Sequence, residues 1–264
     1  MEIFSNRDFL ILCDLEEFRL LSTRQIQRLR FEQHISISSA TRTTVRVLGR
    51  LEAHELIVRL KRRVGGAVRG SAANVWQLSS TGERVLRRLR GEPGRRRYIE
   101  PSPNFAAHTL AVADFAIDVY ELARRASLDV LELETEPDCW RPFTGASGSR
   151  EWLKPDLFAV VADAESESHS FIETDLASEH VPKILRKCDA YMRYYRAGVE
   201  QVGRGLFPAV VWVVPSEERA TQLRSAIRGH PGLLPDLFHV HVPADALRVI
   251  APEPTTNPPE RRDP

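Results

Sequence analysis

The charge of this chain changes sign partway along its length, and that change divides it into two modules before any element is assigned. Residues 1–100 carry 20 of the 37 Lys and Arg but only 11 of the 36 Asp and Glu, a net of +9, whereas residues 101–264 carry a net of −8. The formal charge of +1 for the whole chain conceals the split. The sign changes at GEPGRRRYIEPSPN (91–104), a stretch of linker composition. The expected organisation is therefore a basic domain over 1–92, a linker over 93–104, an acidic domain over 105–250 and a disordered Pro-rich tail over 251–264. A compact basic module suits a polyanion. Nucleic acid is the default polyanion, because each neutralised phosphate releases a counterion. Lysine supplies only four of the 37 basic residues (Lys61, Lys154, Lys183 and Lys187), so part of the arginine clustering is compositional.

Several classes fall away early. No apolar run approaches the roughly 20 residues of a membrane helix. The start, MEIFSNRDFL, lacks the basic-then-apolar layout of a signal peptide. Cys13, Cys139 and Cys188 are odd in number and scattered, with no disulfide framework and no Cys-x-x-Cys knuckle, which fits a reducing cytoplasm. The polar loop TGASGSR lacks the Gly-Lys-Ser/Thr ending of a phosphate-binding loop, so a nucleoside triphosphatase is set aside. His239 and His241 share one face of an expected strand, where two solvent-facing polar residues are a simpler reading than a metal pair.

In the basic half, apolar spacing predicts a helix over 7–21 and a short second helix from Arg24 to Arg30, capped by Ser22 or Thr23. After the turn HISISSA a third helix runs from Ser38 or Ser39 to about Ala53. On that helix Ala40, Thr44, Val47, Leu48 and Leu51 gather on one side. Arg42, Arg46 and Arg50 recur on the other, with Thr43 and Gly49 beside them. A strand (56–61), a basic Gly-rich tip (RRVGGAVRG), a second strand (74–78) and a further basic helix to Arg90 complete the module. This order is that of a winged helix-turn-helix. Arg42, Thr43, Arg46 and Arg50 would read the major groove, and Arg62, Arg63 and Arg69 on the wing would meet phosphate or the minor groove.

The acidic half reads as an α+β and α/β arrangement: a helix over 105–126, strands near 128–133, 156–162 and 170–174, a helix over 180–197, and an apolar strand at 208–214. A helix (216–228) and a short strand (237–242) follow. The αβββαβ order resembles the core of PD-(D/E)xK nucleases, and Pro155-Asp156 and Glu173 fall where that motif has its acids. Glu173 and Asp175, two apart on a strand, are expected to share a face and point toward Asp156. Three such carboxylates would suit Mg²⁺ or Mn²⁺. The motif's lysine is replaced by Asp175, and Lys187 (less well Lys183) on the next helix is the expected substitute.

The two halves together resemble the replication-relaxation family of plasmids and other mobile elements. The resemblance rests on Leu78-Ser79-Ser80-Thr81-Gly82, the run from His108 to Asp114, Lys154-Pro155-Asp156, Phe171-Ile172-Glu173-Thr174-Asp175, and Lys187 followed by Tyr191 and Tyr194. It implies a double-stranded-DNA-binding protein acting in plasmid replication, DNA relaxation or mobilisation, by metal-dependent nicking or by recruiting a relaxase or replication protein. A homodimer is expected, with the aromatic-rich helix 180–197 as its contact. Two other readings stay open: a transcription regulator with an inactive nuclease-like dimerisation domain, and a nuclease of a defence or toxin system.

Overall fold

The protein's structure, a computed structural model, describes residues 4–32, 36–60, 74–92 and 101–252. It forms two compact units, residues 1–117 and 118–264. The division falls inside a long helix, beyond the Pro/Gly/Arg stretch. Among the described residues no helix is long and apolar enough to cross a membrane.

The N-terminal unit contains helices α1 (Asn6–Glu17), α2 (Thr23–Arg30), α3 (Ile37–Ala53) and α4 (Ser80–Arg90), with strands β1 (Leu21–Ser22), β2 (Ile57–Arg59) and β3 (Val75–Leu78). Each of the four helices starts at a serine. Ser5 and Ser22 form capping boxes with Asp8 and Gln25, Ser36 caps α3, and Ser79 accepts from both Thr81 and Gly82. Such caps satisfy backbone donors that a helix start leaves open. α1 ends at Glu17, short of the expected residue 21. Arg19 adopts a left-handed conformation (φ 63°), and the chain then turns into β1. Leu21 and Ser22 pair antiparallel with Trp76 and Val75, so a strand absent from the sequence reading completes a three-stranded sheet of order β1-β3-β2. Ile11, Leu12, Leu15, Ile26, Leu48, Leu51, Ile57 and Leu86 are buried to within 1 %.

The C-terminal half begins with α5 (Pro103–Ala126), whose latter part belongs to this unit. Strands β4 (Asp129–Thr135), β7 (Leu157–Ala162), β8 (Glu167–Thr174), β9 (Ala209–Val213) and β10 (Phe238–His241) form one sheet of order β10-β9-β8-β7-β4. β4, β7 and β8 pair antiparallel, and β8, β9 and β10 parallel. All six residues of β7 are buried, as a continuous apolar strand covered on both faces should be. One face carries Phe158, Val160, Phe171, Val210 and Trp212 against α6 (Val181–Ala197) and α8 (Glu217–Gly229).

Four elements of this half depart from the sequence reading. The polar loop is the turn of a hairpin, β5 (Arg141–Thr144) with β6 (Arg150–Leu153). Helix α7 (Val199–Arg204) fits between Gly198 and Gly205, and α9 (Pro243–Ile250) follows the last strand. Of the α6 aromatic residues, Tyr191 and Tyr194 are fully buried in the core of this unit, and Tyr195 is partly buried.

Gly82 carries a packing constraint. A Cβ there would lie 2.1 Å from the Leu56 carbonyl oxygen, which accepts a hydrogen bond from Ser79 N (3.0 Å). Gly82→Ala is therefore expected to destabilise the N-terminal unit by about 2–3 kcal/mol, the upper range for overpacking. Urea unfolding followed by circular dichroism checks this; a change below about 0.5 kcal/mol, typical of a neutral surface site, would show that the α4 start yields easily.

Candidate functional sites

Two sites emerge, one in each unit. In the C-terminal unit, Asp156 lies immediately before β7 and Glu173 near the end of β8. α6 presents Ile184, Lys187, Cys188 and Tyr191 at helical spacing toward them. Asp156 Oδ2 accepts from Thr174 N (2.7 Å) and Oδ1 from Lys187 Nζ (3.4 Å). Glu173 Oε1 accepts from the Tyr191 hydroxyl (2.6 Å), and Oε2 accepts from Lys187 Nζ in a short contact. Glu173 has no solvent exposure and Asp156 only 4 %. Lys187 bridges the two acids while a third of its side chain stays exposed.

The electrostatics follow from that burial. Desolvation pushes the Glu173 carboxyl above its ordinary range, opposed by the pull of Lys187 and reinforced by Asp156. Burial works against the Lys187 ammonium, but the Glu173 and Asp156 carboxylates outweigh it and hold the lysine charged. The ammonium is therefore retained, and the buried Glu173 carboxyl takes up its proton at a higher pH than a solvated glutamate would. Burial and Glu173 raise the Tyr191 hydroxyl, so it remains a donor. Burial, with Glu173 adding to it, pushes the Cys188 thiol up to about 12, which removes it as a nucleophile.

Asp175 does not join this cluster as expected. β8 ends at Thr174, and the Asp175 carboxylate accepts from Arg219 Nε (2.6 Å) and Ala177 N (3.0 Å). Arg219 also donates to the Glu179 carbonyl (2.6 Å), so the pair fastens the first turn of α8 to the loop after β8. Lys183 pairs with Glu179 at the surface. Among the described residues no three His, Cys, Asp or Glu groups are arranged to hold a metal ion. The donor set explains why. Both Glu173 oxygens, both Asp156 oxygens and both Asp175 oxygens already accept hydrogen bonds, and Lys187 supplies the positive charge between the first two acids. The three-carboxylate set expected for Mg²⁺ or Mn²⁺ is therefore not assembled: Asp175 is turned to Arg219, and Asp156 and Glu173 converge on Lys187. His239 and His241 stack with ring centroids 6.5 Å apart, both partly buried.

In the N-terminal unit, Ala40, Thr44, Leu48 and Leu51 of α3 are buried, and Arg42 and Arg46 are exposed on the other side with no acidic partner among the described residues. Thr43 is half-buried beside them. Arg50 departs from the row. Its guanidinium pairs with Asp8 at 2.5 Å, and Asp8 is buried while it caps α1, so Arg50 ties α3 to α1. Arg62, Arg63 and Arg69 lie outside the described residues. Arg24, in the first turn of α2, is exposed with no acidic partner among the described residues and was missed by the sequence reading; its place on the helix preceding α3 is the signal that could have found it.

Lys187→Met removes the ammonium and keeps most of the stem. It is expected to cost on the order of 3 kcal/mol at alkaline pH, where Glu173 is charged, the low end for breaking a buried pair because Lys187 is partly exposed. Burial already raises the Glu173 carboxyl to about 8, and without the ammonium it rises still further above its unfolded value. The variant then takes up its proton at a higher pH than the unaltered protein, so the deficit shrinks as pH falls from about 10 to about 8 and is level below that. Urea unfolding at about pH 10 and about pH 8 tests this; an equal deficit at both would refute the charge account.

Comparison with curated proteins and with solved structures found no match. The family model described as replication-relaxation matches residues 12–210, three-quarters of the chain. With three-quarters of its length matched, the chain belongs to the replication-relaxation family.

Proposed function

We propose that this protein binds duplex DNA through its N-terminal unit and acts in the replication or relaxation of a plasmid or other mobile element. The observation that carries the reading is the exposed pair Arg42 and Arg46, one helical turn apart on α3 and with no acid paired to them among the described residues. The order α1-α2-α3 followed by the β1-β3-β2 sheet supports reading the unit as a winged helix-turn-helix, with α3 as the recognition helix. Arg24 on α2 then suits a phosphate contact that sets the register. Membership of the family suggests the replication or relaxation setting.

The five-stranded mixed sheet and the positions of Asp156, Glu173 and Lys187 support a nuclease-like descent for the C-terminal unit. Closure of that cluster by Lys187 favours a unit that organises the next step by holding a partner, a relaxase or a replication protein, over one that cuts. The same closure would serve the regulator reading, and partner capture separates the two.

Binding to a mixed-sequence duplex is expected to weaken linearly in log affinity with log salt, by a slope of about −0.9 per phosphate contacted. Arg42→Ala with Arg46→Ala lowers affinity by at least about tenfold and flattens that slope. Fluorescence anisotropy across a salt series measures both. Affinity indifferent to salt and to the double substitution would overturn the duplex reading. Supercoiled plasmid is expected to stay supercoiled with Mg²⁺ or Mn²⁺; relaxation that disappears in Glu173→Gln would instead establish nicking.

A further inference from the structure

We infer that the β5–β6 hairpin is a second nucleic-acid site, built for single-stranded DNA. Arg150, Trp152 and Lys154 alternate along β6 and its continuation, so they share one face. All three are exposed, while Leu153 between them enters the core and Glu151 pairs with Arg193 of α6. Across the hairpin, Pro142 faces Trp152 and Thr144 faces Arg150, both exposed. This outer face therefore carries two cations, an indole and no acid.

Two features separate it from an ordinary solvated strand. First, neither Arg150 nor Lys154 has an acidic partner among the described residues, in a half of the chain where acids outnumber bases 25 to 17. Second, Trp152 is 45 % exposed, whereas tryptophan is highly buried on average. The cations interleave with rings: the Arg150 guanidinium lies 5.1 Å from the Trp152 ring centroid, and Lys154 Nζ lies 4.3 Å from that of Trp140. Trp140 is partly buried, so Trp152 is the exposed ring, and an exposed ring beside cations without acid partners is the combination that holds single strands, with a base stacking on the aromatic face and phosphates meeting the charges. A duplex hides the faces of its bases, so a stacking ring selects unpaired ones.

The hairpin is braced for such a role. Arg193 Nε holds Glu151 at 2.9 Å, and the Cys139 thiol donates to the Pro155 carbonyl at 3.1 Å. Lys154 stands two residues before Asp156 of the acid–lysine cluster in the chain. The site uses residues separate from those of the duplex reading and goes beyond it.

The test is fluorescence anisotropy of the full chain with a labelled oligothymidylate of about 15 nucleotides, near the upper size of a single-domain site. Trp152→Ala is expected to weaken binding about tenfold and Trp152→Phe by much less, since a ring remains to stack on. Arg150→Ala with Lys154→Ala lowers the salt slope by about 1.4, two contacts at about 0.7 each for a single strand. Duplex affinity stays within about twofold in all three variants, and Arg42→Ala with Arg46→Ala leaves oligothymidylate binding intact. Absence of binding by the unaltered protein, or binding by Trp152→Ala equal to it, would overturn the inference. Loss of single-strand binding in the α3 double variant alone would assign the affinity to the N-terminal unit and overturn it equally. Failure of the duplex reading appears separately, as duplex affinity indifferent to Arg42 and Arg46.

Discussion

A carboxylate with no solvent exposure persists in an apolar core only if other groups supply opposite charge and donors, and Glu173 obtains both from α6. Lys187 and Tyr191, one turn apart, satisfy its two oxygens, and Lys187 reaches Asp156 as well. Three elements meet at that ammonium: the entry to β7, the end of β8 and the middle of α6. The choice of lysine is informative in a chain whose basic residues are arginine in all but four of 37 cases. A compact ammonium with three donors can sit between oxygens on neighbouring strands, where a planar guanidinium fork demands a wider approach. The same compactness leaves this cluster filled by its own cation.

The N-terminal unit uses arginine differently. Arg30 grips Asp14 bidentately, and Arg50 pairs with Asp8, Arg90 with Glu16 and Arg87 with Glu83, so much of the +9 charge is spent within the unit. What matters for a partner is the remainder, the arginines left without acids on α2 and α3. Net charge narrows the classes of partner a module suits, while the distribution of ion pairs decides which face is left to meet one.

Periodicity made much of this legible. The 3.6-residue spacing on α3 separates Ala40, Thr44, Leu48 and Leu51 from Arg42 and Arg46, and the unbroken apolar run of β9 announces a covered strand. Lys187 was recoverable because it lies beside the buried stripe of Ile184, Cys188 and Tyr191. Pairings across long separations were not: Arg50 meets Asp8 across 42 residues and Arg219 meets Asp175 across 44, and no local pattern encodes either. The i, i+2 rule misled at Asp175 because β8 stops one residue earlier. β5 and β6, four residues each around a Gly/Ser turn, are too short for alternation to stand out from loop composition. In α9 the signals, Pro243 at the first helical position and Asp245 in the first turn, were present but stood next to a Pro-rich tail.

The mixed sheet has a kinetic corollary. β7 and β8 close across a short turn in which Asp163 accepts from Glu165 N and Ser166 N at 2.8 Å, whereas β8 and β9 become neighbours only after α6 and α7 have been threaded between them. Loop-closure entropy favours the nearby pairing first. Glu173, on the strand shared by both pairings, draws its lysine from only 14 residues further on, so the cation comes from the first helix of the crossover itself.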